Sequence, residues 1–91
     1  MAEKRGIPTE IAISGRPVAA EKYSVGSKEY FSAYAVGLRP EAVYKIRTAS
    51  YGGEDRITAE NGVVLAVYRT YVKGDWIELY CERKGGTNGS N

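Results

Sequence analysis

The sequence of 91 residues contains no histidine and a single cysteine. Histidine is the commonest general base and a frequent zinc and iron ligand, so its absence removes Ser-His and Cys-His nucleophile pairs and most such metal sites. One cysteine, Cys81, cannot form an intramolecular disulfide or a thiolate cluster. The glycine-rich motifs of nucleotide-binding proteins and serine hydrolases are also missing. We therefore expect no enzyme, no metal and no cofactor.

Long apolar runs and an excess of one charge are missing as well. No stretch approaches 18 apolar residues, and residues 1–6 lead into no apolar segment, so we expect neither a membrane span nor a secretory signal. The protein should be made in the cytoplasm with Cys81 reduced. The chain has 13 Lys+Arg and 11 Asp+Glu, a net charge of +2. These charges are dispersed, which argues against binding driven by a polyanion.

Tyrosine is the residue type that stands out. The chain has eight tyrosines, one phenylalanine and one tryptophan. A tyrosine side chain combines an apolar ring with a polar tip, which suits the core and surface of a small β-barrel and also protein interfaces. Stacking on nucleobases is a third use, although it usually comes with surrounding basic residues. Composition alone leaves all three uses open.

Alternating apolar and polar residues predict that most of the chain forms β-strands. Pro17, which cannot donate to a ladder, should lie at the start of the second strand. The run 63–72 is apolar on both faces, which predicts a strand that is central or bent. The predicted strands are 9–13, 18–25, 43–51, 56–59, 63–72 and 76–83.

One segment has the pattern of a short helix, about 28–36. Ser27 is a candidate N-cap, and Gly37 follows the last periodic residue as a C′ glycine would. The sequence therefore predicts a mainly β fold, a small antiparallel β-barrel of five to six strands with this one inserted α-helix. The barrel domain should cover residues 7–84, between a flexible N-terminus at 1–6 and a flexible Gly/Asn/Ser tail at 85–91.

The last two strands carry the densest pattern of aromatic and charged residues. Arg69, Tyr71, Trp76 and Tyr80 are of the types enriched at interaction hot spots, so we expect them to form a partner interface. A well-built hairpin with cross-strand pairs, such as Arg69 with Glu78, explains the same pattern equally well.

Several stretches of the sequence, in this order, resemble the head-completion proteins of long-tailed phages and prophages. These proteins are also called head-closure, stopper or head–tail joining proteins. The resemblance covers about residues 7–86. The stretches are Ser27-Lys28-Glu29-Tyr30-Phe31, Gly37-Leu38-Arg39-Pro40-Glu41, Tyr51-Gly52-Gly53-Glu54, Val67-Tyr68-Arg69-Thr70-Tyr71, Glu78-Leu79-Tyr80 and Glu82-Arg83-Lys84-Gly85-Gly86.

This resemblance implies a structural protein of the virion head–tail interface, present in the host cytoplasm before assembly. It implies a twelve-fold homo-oligomeric ring below the portal and adaptor rings, which closes the DNA exit channel, lies close to packaged DNA and offers a platform for tail proteins. Many relatives begin with an extra strand, so the barrel here could have an open edge.

In the resembled family a segment between the early strands blocks the channel. The corresponding candidate channel segment here contains Lys28, Glu29, Tyr30, Tyr34 and Arg39. A helix simply packed on the barrel by Tyr30 and Tyr34 is the other interpretation. For the whole chain, the alternative function is a small nucleic-acid-binding barrel of the OB or SH3-like kind, with its tyrosines as stacking platforms.

Overall fold

The structure, a computed structural model, describes residues 6–83. Six antiparallel strands close into a barrel in the order β1-β2-β3-β6-β5-β4, and one helix is inserted between β2 and β3. The predicted fold class is therefore confirmed. The predicted segments 1–6 and 85–91 lie outside the described residues, except for Gly6. The elements are β1 (Ile7–Ile13), β2 (Arg16–Tyr23), α1 (Ser27–Ala35), β3 (Pro40–Arg47), a 3-10 helix (Thr48–Ser50), β4 (Arg56–Thr58), β5 (Val64–Lys73) and β6 (Trp76–Arg83).

The alternation of side chains in the strands produces the barrel core. In β1, Ile11 and Ile13 are buried, while the residues between them and before them face outward or lie at the margin. The β1–β2 turn is made by Ser14 and Gly15, both with positive φ (52° and 79°), which is the twist of a type I′ hairpin. In β3 and β6 the buried members include Tyr44, Ile46, Ile77, Leu79 and Cys81, on the inner faces that alternation predicts.

Strand β5 is bent, as its two apolar faces indicate. The pairing with β6 shifts register between Val67 and Arg69, which places a bulge at Tyr68. Before the bulge, Leu65 is buried in the core and Val67 packs against it. After the bulge, the strand extends away from the core, and its residues are exposed.

Barrel closure depends on the three-residue strand β4. It pairs with β5 from Arg56 to Thr58 and meets β1 through one pair, Ala12 with Thr58. We expected that a missing first strand would leave the barrel open. This is wrong, because β4 pairs with both β1 and β5 and closes the barrel. It remains true that β4 is too short to cover the whole length of either neighbour.

Helix α1 begins one residue before the predicted start. Gly26 occupies the N-cap position and Ser27 is the first helical residue, so the predicted Ser27 cap is wrong. The C-terminal end follows the prediction: the Leu38 N–H donates to the Ala33 carbonyl at 3.0 Å, and Gly37, at φ 90°, donates to the Tyr34 carbonyl. These two bonds form a Schellman motif.

The predicted strand 43–51 ends early, at Arg47. There the chain turns into the 3-10 helix, and the Thr48 N–H donates to the Asp75 carbonyl in the β5–β6 turn at 2.8 Å. Thr48 therefore bonds to the hairpin tip instead of continuing the β3 ladder. The following loop is held by the Tyr51 hydroxyl, which donates to the Glu54 carbonyl.

Candidate interaction surface

The outer face of the β5–β6 hairpin brings the four predicted interface residues onto one side of the sheet. Arg69 lies opposite Tyr80, Tyr71 opposite Glu78, and Lys73 opposite Trp76. The expected pairing of Arg69 with Glu78 is wrong, because the two-residue turn at Gly74 and Asp75 sets the register that places Arg69 opposite Tyr80. These residues form successive cross-strand rows, with Tyr80 at the end nearest the helix and Trp76 at the hairpin tip. We call this outer face the hairpin surface.

Arg69 is held in place by an aromatic ring and a carboxylate. Its guanidinium carbon lies 3.9 Å from the centroid of the Tyr80 ring. Its Nη2 atom donates to Glu29 Oε1 at 2.6 Å and its Nε donates to Glu29 Oε2 at 3.3 Å. The Tyr68 hydroxyl donates to the same Oε2 at 2.7 Å. Glu29 thus joins the first turn of α1 to β5.

These contacts change the protonation equilibria of the cluster. The hydrogen bond from Arg69 is the main cause of the lowered pKa of Glu29, and the Tyr68 hydroxyl lowers it further. Burial is the main cause of the raised pKa of Tyr68, reinforced by its bond to Glu29. At neutral pH the cluster is therefore a carboxylate held by a guanidinium and a neutral phenol.

Trp76 lies beside two cations from β3 that the sequence analysis did not assign to the surface. The Arg47 guanidinium carbon is 4.9 Å and the Lys45 Nζ is 5.3 Å from the Trp76 ring centroid. The strand register places them there, since Arg47 lies opposite Trp76 and Lys45 opposite Glu78. The outward positions of Lys45 and Arg47 follow from alternation, but their proximity to Trp76 requires the register.

The candidate channel segment is a short helix whose aromatic side chains face solvent. The rings of Tyr30 and Tyr34 stack at 5.8 Å, and Phe31 meets Tyr30 edge-on at the same distance. All three are exposed, Phe31 to 68%. The only buried residue in the helix is Ala33. We call Tyr30, Phe31 and Tyr34 the helix surface.

The structure therefore separates the five predicted channel residues. Glu29 is bound to the hairpin, whereas Lys28 is exposed. Tyr30 and Tyr34 stack on each other and are 39% and 56% exposed, while Ala33 is buried and Glu29 bonds to β5, so the two rings are not the main attachment of the helix. Arg39 uses its backbone, whose N–H donates to Glu82 Oε1 at 3.1 Å and whose carbonyl accepts from the Arg83 N–H.

A second polar cluster lies where β2, β3 and the β4–β5 turn meet. Glu60 accepts from Lys22 Nζ at 2.6 Å and from the Tyr44 hydroxyl at 2.7 Å. The Lys22 bond is the main cause of a Glu60 pKa lowered to about 2. Burial raises the pKa of Tyr44, whose ring is in the core. The cluster satisfies the one polar atom of this core tyrosine.

The described residues contain no group of acidic side chains and cysteine that could hold a metal ion, and the one cysteine is buried. Cys81 is fully buried, as its position on the inner face predicts, and burial raises its pKa to about 12. Its thiol is therefore protonated and shielded at neutral pH. Among the same residues, no helix is long and apolar enough to cross a membrane.

Comparison of the chain with protein-family models, with curated proteins and with solved structures finds no match. Function must therefore be argued from the two surfaces themselves.

Proposed function

We propose that the protein is a structural subunit of a phage head–tail connector. In this proposal, copies of the chain form a ring, twelve-fold in the resembled proteins, below the portal and adaptor rings. The ring closes the DNA exit channel and provides the platform to which the tail attaches. The sequence resemblance suggests this role, and the fold is a small β-barrel, as the resemblance implies.

The observation that carries the proposal is that so small a barrel exposes aromatic residues on two different elements. The helix surface presents Phe31 and two tyrosines, and the hairpin surface presents Tyr71 and Trp76. A ring is built from heterologous contacts, in which each subunit uses one patch toward one neighbour and a different patch toward the next. Tyrosine, tryptophan and arginine are the residues on which such contacts usually depend.

The charge distribution also suits a subunit close to DNA that does not hold it. The candidate channel residues carry few charges, since Lys28 and Arg39 are basic and Glu29 is acidic. The whole chain carries a net charge of only +2. A strongly basic channel would bind packaged DNA tightly and oppose its exit, because each neutralised phosphate adds affinity.

A genetic test with purified protein decides the proposal. Deletion of the gene from the phage that encodes it should yield heads that package DNA, then lose it, and carry no tails. Addition of the purified protein and free tails to fresh heads should restore infectious particles. The variant Phe31→Ser should fail to restore them while remaining folded, and Ser32→Ala, on the same helix, should restore them fully. Normal tailed virions from the deletion mutant would overturn the proposal.

The position of Trp76 beside two cations is the one observation that favours the alternative function. Trp76, with Lys45 and Arg47 beside it, combines a ring with cations, as single-stranded nucleic-acid sites do. If this were the function, a fluorescent single-stranded oligonucleotide would bind with an affinity that falls steeply as salt rises. We expect no measurable binding at 150 mM salt. Tight, salt-dependent binding that Trp76→Ala abolishes would favour the alternative.

A further inference from the structure

In the part of the chain that the structure describes, strand β5 lacks a neighbouring strand on one side along its C-terminal half. Strand β4 pairs with β5 only as far as Ala66, and the last bond on that side runs from the Val67 N–H to the Asp55 carbonyl at 2.9 Å. Beyond this point, residues 68–73 pair with β6 alone; within residues 6–83 no strand lies on their other side. Tyr71 and Val72 are 51% and 57% exposed. We call residues 68–73 the free β5 edge.

The hairpin register determines which backbone groups this edge presents. Lys73 and Trp76 flank the two-residue turn, so they form a hydrogen-bonded pair. Such pairs alternate along an antiparallel ladder, and Tyr71 with Glu78 is the next one. Val72 lies between these two pairs and Thr70 lies just beyond Tyr71, so both direct their N–H and C=O groups away from β6. The edge offers four backbone groups in the spacing that an added strand requires.

The side chains along the edge disfavour pairing with another copy of itself. Arg69, Tyr71 and Lys73 share the outer face, and Lys73 has no ion pair among the described residues. In an antiparallel pairing of two such edges, the register that sets Thr70 against Val72 of the second copy also sets Arg69 against its Lys73. Lys73, which has no ion pair within residues 6–83, would then face a second cationic side chain that Glu29 already holds, and a lysine on an exposed edge is a common protection against self-association.

We propose that the free β5 edge binds an extended acidic strand of another protein. The added strand would pair with Thr70 and Val72, set a carboxylate beside Lys73 on the outer face, and cover Val72 with an apolar or β-branched side chain on the other face. Addition of a strand to a sheet edge derives affinity from main-chain bonds and specificity from alternate side chains. The inference rests on the proposed function, since it names the chemistry of the partner that a connector subunit would bind here.

The test uses the full-length protein and a synthetic probe. The probe is a capped peptide of alternating valine and glutamate, added at millimolar concentration. We expect the Thr70 and Val72 amides to exchange rapidly with solvent in the free protein and at least about tenfold more slowly with the probe. A peptide with lysine in place of glutamate, and one with N-methylated backbone amides, should have no effect.

A pair of variants separates the edge from the fold. Val72→Pro removes an N–H that points away from β6, so the β5–β6 ladder is retained while the edge loses a donor. Val72→Ala shortens the side chain and keeps the donor. We expect Val72→Pro to abolish probe binding and Val72→Ala to retain it, with both variants showing the circular dichroism of the wild type. If Val72→Pro unfolds the protein, Lys73→Glu serves in its place and should reverse the preference between acidic and basic peptides.

Three results would overturn the inference. The amides of Thr70 and Val72 could already exchange slowly in the free monomer, the acidic and basic peptides could protect equally, or the edge could bind a second copy of the chain in the absence of peptide. Each of these leaves the proposed function standing, because a ring formed through the helix and hairpin surfaces does not require this edge. Failure of the genetic test would remove the function without altering peptide binding.

Discussion

Cys81, Tyr44 and Glu60 are titratable residues that are buried in the core or bonded to it. Cys81 lies on the inner face of β6 between core neighbours, and Glu60 binds the hydroxyl of the core tyrosine Tyr44. The polar tip of Tyr44 would carry a desolvation cost if it had no partner. The role of Glu60 at this position is therefore to complete the core rather than to perform chemistry.

The Cys81 thiol should not react in the native protein. It is fully buried and its pKa is raised to about 12 by burial. At pH 8 we expect no labelling by a thiol-specific reagent in the folded state and complete labelling in denaturant, because only the exposed thiolate reacts. Rapid labelling of the native protein, at the rate seen in denaturant, would show that β6 does not pack as described.

Glu60 should make the free energy of unfolding depend on pH in the acid range. Its pKa is about 2 in the folded protein and has its ordinary value, near 4.5, in the unfolded chain. A carboxyl with a lowered folded pKa stabilises the fold above its unfolded pKa, and this contribution is lost as the pH falls from about 5 towards 2. Urea unfolding across that range should show a shallower pH slope for Glu60→Gln than for the wild type. Glu10→Gln, at an exposed glutamate without an ion pair within residues 6–83, is the matched control.

At the scale of the elements, α1 is attached to the barrel by few contacts. Ala33 is its only buried residue, and Glu29 ties its first turn to Tyr68 and Arg69. A helix of nine residues is marginal without tertiary packing. We therefore expect α1 to open more readily than the strands, as a channel segment with two conformations would need to.

Hydrogen exchange tests this difference directly. Amides of α1 should exchange faster than those at Ile46 and Val67. Glu29→Gln should raise the exchange rates in α1 further and leave those of the strands unchanged. The expected effect is small, about 0.2–1 kcal/mol, since the ion pair is near the surface. Lys28→Ala, next to Glu29 and exposed, is the matched control. Protection of α1 equal to that of the strands would show that it belongs to the rigid barrel.

The hairpin surface should tolerate truncation better than the core beneath it. Trp76 is 37% exposed and faces outward, whereas its neighbour Ile77 is buried. We expect Arg69→Ala and Trp76→Ala each to cost about 1 kcal/mol, or some 4–8 °C in Tm, and to block tail attachment. Ile77→Ala should cost about 2–5 kcal/mol. A loss of stability as large for Trp76→Ala as for Ile77→Ala would show that the hairpin surface stabilises the fold instead of binding a partner.

The alternation of residues predicted the strands and their inner faces because burial imposes a period of two. The same alternation could not predict the β5 bulge between Val67 and Arg69, which shifts the pairing of the preceding residues with β6 by one position. Register between distant segments also lies beyond local pattern, so the contacts of Glu29 with Arg69 and of Arg47 with Trp76 required the structure. The helix ends were predictable in part: Gly37 follows the last turn with the positive φ expected of a C′ glycine, whereas Gly26 occupies the N-cap without a side-chain capping bond that could mark the position.

At the scale of the whole molecule, the protein should be a monomer or a weak oligomer in dilute solution and a ring only on its platform. Its exposed aromatic residues lie on small separate patches, and a patch of this kind is too small to hold a stable dimer by itself. Several weak heterologous contacts, however, act together once neighbouring copies are aligned on a preformed ring.

Sedimentation of the free protein at micromolar concentration should therefore give the mass of a single chain, 10.0 kDa. Electron microscopy of heads with the protein added should show an added ring of density at the portal vertex. Phe31→Ser should remain monomeric and fail to add that density, since the helix surface would lose its most exposed ring. A tight two-fold dimer with no larger species would contradict this assembly, because an isologous contact uses the same patch on both subunits and closes without forming a ring.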